Sequence, residues 1–232
     1  MSELVPNGRE RVVGRRHYDD VPAASTKAGC ARAFARHPGP ILIAAAAAGT
    51  ITARVRMGRF RAADVGVAAG VMLAHPVAEW ALHVYVLHRS RTGSDGRRRE
   101  SFAARTHRQH HEDPKDVGLV LLPTTVTAGI VGGTLAVGLA VPDRRRGLTS
   151  AAVPLLSLLP YAWIHLLIHS PYQPRSSWYR SRWRAHRLHH FRNENYWFGV
   201  VATAADRMFG TAPERDEVAV SATAQSLVAP SA

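Results

Sequence analysis

The sequence predicts an all-α protein embedded in a membrane. Two long stretches carry no Asp, Glu, Lys or Arg, and the 30 cations gather in blocks between such stretches. Ten of the 13 histidines fall in two windows, 83–111 and 165–190, on either side of the most apolar part of the chain. A hydrophobic share of 46% and a mean hydropathy of -0.12 average over this segregation and conceal it. A length of 232 residues suits one domain with a sizeable core.

In chain order, residues 1–36 are polar and basic without a periodic apolar face, and they read as a loosely ordered cytoplasmic arm. No charged region leads directly into an apolar core there, so no cleavable signal peptide is expected. Residues 37–213 hold four apolar segments. Pro38–Ala53 is short and alanine-rich, and Val65–Ala78 is short before Glu79 interrupts it; each could span, lie re-entrant or pack as a buried helix. Val117–Pro142 is uncharged throughout, and so is Gly147–Pro174 apart from its two histidines. Both exceed the roughly 20 residues a helix needs to cross the hydrocarbon core. Residues 214–232 read as a disordered tail. Cys30 stands alone, which excludes an intrachain disulfide and a cysteine-ligated zinc or iron–sulfur site.

Charge gives an expectation for the sidedness. If both histidine windows build one site, the two strong spans between them must form an out-and-back hairpin through the turn Val141–Leu148. Segments 1–40, 89–116 and 171–232 hold seven, eight and eight cations, against seven in the two short turns. The positive-inside rule then puts both windows in the cytoplasm. Arg54, Arg56, Arg59, Arg61 and Arg144 to Arg146 run against the rule. The net charge of +13 suits an anionic membrane surface; nucleic-acid binding does not account for the uncharged spans.

The histidines form four motifs. His83 and His88 make an HxxxxH, and His107, His110 and His111 an HxxHH. His165 and His169 make an HxxxH, and His186, His189 and His190 a second HxxHH. Helix residues three or four apart face the same way. His107 with His110, His186 with His189, and His165 with His169 can each therefore offer imidazoles to a common region. Adjacent residues diverge by about 100°, so each His-His doublet supplies two ions side by side rather than one. Ten imidazoles fit two metals with four or five ligands each.

Imidazole suits Fe, Zn, Cu and Ni. Neutral ligands leave two divalent ions with uncompensated charge, which points to oxygen chemistry. Glu112, Asp113, Glu194 and Asp206 are candidates to accept the second ring N–H of a ligand and fix its tautomer; each is also readable as a solvated loop charge. His17 lies in the basic arm, and His75 precedes Pro76 within an apolar segment; neither joins the set. His37-Pro-Gly-Pro is a chance likeness to the haem-binding His-Pro-Gly-Gly of cytochrome b5, since Pro40 replaces Gly and no second haem histidine follows suitably.

From about His75 to Thr211 the chain resembles the fatty acid hydroxylase or sterol desaturase superfamily of membrane di-iron enzymes. The likeness is densest in HLLIHSPYQP and AHRLHHFRNENYWFGVVATAADRMFGT, which are similar to fatty acid 2-hydroxylases and their bacterial relatives. The resemblance implies that all four apolar segments span, as a four-helix bundle capped by cytosolic helices holding a dinuclear metal site. It implies a ligand role for His83, His88, His107, His110, His111, His165, His169, His186, His189 and His190. It implies two iron ions (zinc possible in purified protein), O2 as co-substrate, a lipid substrate, and no catalytic side chain beyond the ligands. No fused cytochrome b5 domain accompanies the resemblance, so electrons are expected from an external ferredoxin or cytochrome.

A basic cytosolic face of Arg89, Arg91, Arg105, Arg108, Arg184 and Arg187 could dock an acidic carrier. Asn195, Tyr196, Trp197 and Phe198 could line or gate the site, or form an interfacial belt. Arg175, Arg180 and Arg182 could meet a substrate headgroup. The same histidine pattern also fits a carotenoid or sterol hydroxylase or desaturase. A metal transporter is disfavoured, because transport sites lie near the midplane on interrupted helices and these histidines gather at helix ends.

Overall fold

The computed structural model describes residues 26–92, 94 and 97–228. It is an all-α membrane bundle. Helix α1 (Lys27–Arg36) leads into α2 (Pro38–Arg56), α3 (Ala62–Leu82), α4 (Phe102–Glu112), α5 (Val117–Val120), α6 (Thr124–Ala140), α7 (Arg144–His169), α8 (Ser177–Phe191), α9 (Ala204–Met208) and α10 (Ala222–Val228). A two-stranded antiparallel ribbon, β1 (Ser90–Thr92) and β2 (Arg98–Glu100), sits between α3 and α4. The helix starts follow from side-chain caps that satisfy orphan N–H groups. Ser101, Asp116, Asp143 and Ser176 accept from the first turns of α4, α5, α7 and α8. His37 caps α2 through Nδ1, 3.1 Å from the Gly39 N–H. That is the structural use of the His-Pro-Gly-Pro run.

Four helical segments are long and apolar enough to cross a membrane: Pro38–Arg56, Ala62–Leu87, Val117–Ala140 and Arg144–His169. All four apolar segments are thus helical, including the two that could be read several ways, but the third is broken at residues 121–123, between α5 and α6. Glu79 does not interrupt the second one. Its helix runs on because the carboxylate turns inward and is used, as described below. Helix α7 touches the other three spans, and Ile43, Ala47, Val131 and Leu155 pack where α2, α6 and α7 meet. The α6–α7 hairpin closes backbone to backbone. A Cβ on Gly147 would lie 2.2 Å from the Gly138 carbonyl oxygen, so only glycine fits.

At the end opposite the histidines, Arg54 ties three helices. It pairs with Asp64 at 2.9 Å, donates to Thr149 Oγ1 at 3.2 Å and lies over the Phe60 ring at 4.1 Å. One of the cations that breaks the positive-inside pattern is therefore neutralised in the fold. Both short turns lie at this end, so both histidine windows lie at the other.

Two segments depart from the sequence reading. Residues 27–36 of the expected loose arm form α1, because Cys30 is fully buried in a cluster with Leu166, Tyr179 and Val200. It behaves there as a small hydrophobe. Residues 1–25 of that arm lie outside the described residues. The expected disordered tail forms a 3-10 turn, Arg215–Glu217, and then α10, which packs on α4 and α8 with Val218 and Ala224 buried. Its carbonyls are met by side chains at the end of α8. Arg192 donates to Val218 at 2.6 Å and Asn193 to Ala219 at 3.1 Å. Residues 229–232 are outside the described set.

Candidate metal centre

The ten motif histidines converge as two groups of five. His83, His88, His107, His111 and His189 form one, and His110, His165, His169, His186 and His190 the other; within each group the potential ligand atoms lie within 4.8 Å of one another. Eight of the ten side chains are buried, with His88 and His169 partly exposed.

Helix geometry explains the division, and differs from the spacing argument in one respect. The doublets split as expected, His110 from His111 and His189 from His190. The pairs that share a group, however, are His107 with His111 and His186 with His190, four apart, rather than His107 with His110 and His186 with His189, three apart. Residues four apart diverge by about 40° and those three apart by about 60°. The closer pair holds to its own centre, and the middle histidine of each motif crosses to the other. Thus α4 gives two rings to one group and one to its neighbour, and α8 does the reverse. His111 and His190 stack across the boundary at 4.1 Å between centroids.

The HxxxxH needs a different device. On an α-helix, residues five apart diverge by about 140°. The end of the second span is instead a π-turn, His83–Leu87, in which His88 N–H donates to the His83 carbonyl at 3.0 Å. The i→i+5 bond brings His83 and His88 into line. Both then reach the first group.

Ring nitrogens crowd in a way that hydrogen bonding cannot satisfy. His107 Nε2 lies 3.0 Å from His83 Nε2, 3.0 Å from His88 Nε2 and 3.2 Å from His111 Nε2. A neutral imidazole nitrogen offers either one N–H or one lone pair, so three such neighbours cannot all be matched. In the second group His186 Nε2 meets His169 Nε2 at 3.0 Å and His190 Nε2 at 3.1 Å. There His110 has both ring nitrogens buried without a hydrogen-bond partner, and so has His165 its Nε2. Buried polar atoms are rarely left so. Cations at the two foci would satisfy the inward lone pairs together, so the residues fit a pair of metal ions.

The outward nitrogens set the tautomer. His83 Nδ1 lies 2.5 Å from the Phe198 carbonyl, His189 Nδ1 2.7 Å from that of Tyr196, and His165 Nδ1 3.0 Å from that of Val120. Donation from Nδ1–H to a carbonyl leaves the Nε2 lone pair facing inward, as a metal needs. At these three rings a backbone carbonyl stands in the place for which a carboxylate was a candidate. Glu112 pairs with Arg108 at 2.7 Å, Glu194 accepts from the Ser221 hydroxyl, and Asp113 ends α4.

Asp206 and Glu79 act one layer further out. Asp206 accepts from Phe198 N–H at 2.9 Å, Gly199 N–H at 2.7 Å and Thr211 Oγ1 at 2.7 Å. Glu79 accepts from Val200 and Val201 N–H at 2.6 and 2.9 Å. Two buried carboxylates therefore hold the loop whose carbonyls grip His83 and His189. The chain enters it through Trp197, whose φ of 54° is left-handed, a conformation that costs a bulky residue of order 1–3 kcal/mol. Trp197 is held there by bonds from its N–H to Thr211 and from its indole to Pro213. A Cβ on Gly199 would lie 2.6 Å from the Ala202 carbonyl oxygen. Of the expected lining run, Phe198 packs on His83, His88 and His189. Tyr196 contributes its carbonyl, and Asn195 is exposed and bonds Asn193. Glu79 escaped the sequence reading because an acid in an apolar helix reads as a break.

Burial drives the ring pKa values down, so the imidazoles are neutral and ready to bind metal. Desolvation pushes His88 to about 2, with the neighbouring His83 adding to it. Desolvation likewise holds His107, His110, His111, His186, His189 and His190 well below the usual histidine range. A cavity of about 170 Å³ reaches this centre beside His88, His107 and His111, rimmed by Arg89, Arg98 and Arg108. Of the basic face, Arg108 is occupied by Glu100 at 2.9 Å and by Glu112. Arg182 donates to the Val201 carbonyl at 3.1 Å instead of standing free for a headgroup, while Arg175 and Arg180 are exposed.

The chain has counterparts among known proteins. A family model for fatty acid hydroxylases matches residues 68–211. The dihydroceramide fatty acyl 2-hydroxylase FAH2 of Arabidopsis thaliana is 28% identical over 151 residues, which are 62% of this chain and 61% of that protein. The chain thus spans about three-fifths of the length of this curated relative. The solved structure of full-length scs7p, with only its hydroxylase domain visible, superposes with a TM-score of 0.65 over 79% of this chain and 68% of that one, at 19% identity. That likeness shows a shared fold.

Proposed function

Because the chain belongs to the fatty acid hydroxylase family, we propose that it hydroxylates a lipid acyl chain, using O2 at two iron ions held by the two groups of five histidines. The observation that carries this reading is the convergence of ten neutral imidazoles on two foci at one end of four apolar helices. The bound pair would supply O2 activation and the oxidising power to break an unactivated C–H bond, chemistry that side chains cannot perform. The rest falls to this chain's own residues. His83, His88, His107, His111 and His189 would hold one ion, and His110, His165, His169, His186 and His190 the other. The carbonyls of Val120, Tyr196 and Phe198 keep His165, His189 and His83 in the tautomer that binds. Asp206 and Glu79 fix the loop that carries two of those carbonyls.

In this reading the acyl chain approaches from the lipid side, since His83, His165 and His169 lie in the last turn or two of the second and fourth spans. Placement matters, since an error of about 1 Å can cost 100-fold in rate. The 2-hydroxylase relative makes carbon 2 of an acyl chain the first position to examine. Balance of basic residues favours the cytoplasm for the metal side. The experiment is a comparison of total lipids by mass spectrometry from aerated cells expressing the wild type or a His189→Ala, His190→Ala double variant. Hydroxylated acyl species in the wild type alone support the reading. Identical profiles refute it. A desaturated, sterol or carotenoid product would transfer the same centre to another substrate.

A further inference from the structure

We propose that a cleft on the outer face of α8 docks the electron donor, a small acidic redox protein; this rests on the oxygenase reading above. Placing one oxygen atom of O2 in a C–H bond, with the other leaving as water, consumes two electrons and two protons. With one cysteine among them, these 232 residues do not form a cysteine-ligated iron–sulfur cluster, and in this reading the electrons are brought by a separate acidic carrier.

The cleft has a volume of about 790 Å³ and lies between α8 and the segment after α9. Arg184, Arg187, Arg192 and Arg215 line it together with Trp183 and Phe191, and no carboxylate is among its lining residues. Glu214, Asp216 and Glu217 flank Arg215 in sequence but do not line it. Arg192 is spent on the Val218 carbonyl. Among the described residues no carboxylate pairs with Arg184, Arg187 or Arg215, and all three are exposed. Arg187 is pre-set by stacking, its guanidinium 4.7 Å from both the Trp183 and Phe191 rings. Unpaired guanidinium groups on an aromatic floor match the carboxylates of an acidic protein surface.

Position selects an electron donor over other acidic partners. The residues on α8 that face the cleft, Arg184, Arg187 and Phe191, lie opposite His186, His189 and His190 of the same helix. A donor seated there is separated from three of the ten histidines by roughly one helix diameter, about 10–12 Å. None of the lining residues belongs to a spanning helix, which fits a soluble partner.

The test uses the full chain in nanodiscs, with an Arg184→Glu, Arg215→Glu variant that leaves all ten histidines intact. Binding of a labelled acidic [2Fe–2S] ferredoxin, and separately of an acidic soluble cytochrome, is followed by fluorescence anisotropy over a range of salt. At least one carrier should bind the wild type in a salt-dependent way and the variant about 10-fold or more weaker. In stopped flow, the rate at which that carrier reduces the iron should fall in parallel, while reduction by dithionite with a viologen mediator stays unchanged. Equal binding of both carriers by the two proteins overturns the proposal. So does a variant that loses affinity only for anionic vesicles, or one slowed equally with dithionite. Failure of the wild type to make hydroxylated lipid even with the chemical reductant would instead overturn the oxygenase reading.

Discussion

Asp206→Ala isolates the loop that positions half of the centre. The carboxylate accepts from Phe198 N–H, Gly199 N–H and Thr211 Oγ1 at 2.9, 2.7 and 2.7 Å. Each buried donor left without a partner costs about 1–3 kcal/mol, so the two buried N–H groups of Phe198 and Gly199 together cost about 2–6 kcal/mol before relaxation. The strained φ of Trp197 gives the freed loop a reason to move. Movement withdraws the Phe198 carbonyl from His83 and the Tyr196 carbonyl from His189. Both histidines serve the same group. Loss of one such outer partner lowers metal affinity about 10- to 100-fold. The second group keeps its own anchor, Val120 to His165, and should retain full affinity. The assay is iron per chain by inductively coupled plasma mass spectrometry after dialysis against a graded chelator. The variant should pass from two ions to one at chelator levels that leave the wild type loaded, and Asp206→Asn, which keeps one acceptor oxygen, should fall between. Loss of both ions together, or of neither, would refute the reasoning.

Further predictions concern the division, the backbone and pH. His110→Ala and His111→Ala, though adjacent, should each weaken a different ion, seen as two distinct chelator transitions; a common transition contradicts the split. Gly147→Ala puts a methyl group 2.2 Å from the Gly138 oxygen and should cost about 1–3 kcal/mol, read as a lowered melting temperature in detergent. The buried histidines have folded pKa values depressed by desolvation, His88 to about 2, against about 6.5 when unfolded. Below that value the unfolded chain binds the extra protons. Metal-free stability is therefore complete above about pH 6.5 and declines with falling pH, each such histidine contributing a slope of up to about 1.4 kcal/mol per unit. A metal-free melting temperature that is flat from pH 7 to 5 would contradict neutral burial.

The spans and the doublets were legible because they rest on local periodicity. An uncharged run as long as Val117–Pro142 has few alternatives to a spanning helix, and adjacent histidines must diverge on any helix. The allocation of His107 to His111 rather than His110 was not legible, since the angular offsets of residues three and four apart are too close for spacing alone to rank them. The HxxxxH was opaque for a different reason. Its alignment depends on a π-turn at His83–Leu87, which no residue type announces. Glu79 read as a helix break because its partners, the N–H groups of Val200 and Val201, lie far along the chain, beyond both later spans. Backbone carbonyls have no sequence signature at all, so carboxylates were the candidates where Phe198, Tyr196 and Val120 supply the acceptors. The segments around Cys30 and after Glu214 read as loose because each is short and shows no clear periodic apolar face. Their order comes from a few buried contacts with α7, α8 and α4.

Isotopic oxygen reports most directly on the central claim. Iron-loaded protein in nanodiscs, given a chemical reductant and acyl lipid under ¹⁸O2, should yield hydroxylated lipid that carries one heavy oxygen atom, and none when His189 and His190 are replaced. A hydroxyl bearing oxygen from ordinary water, or equal product from the double variant, would contradict an oxygenase built on these ten histidines.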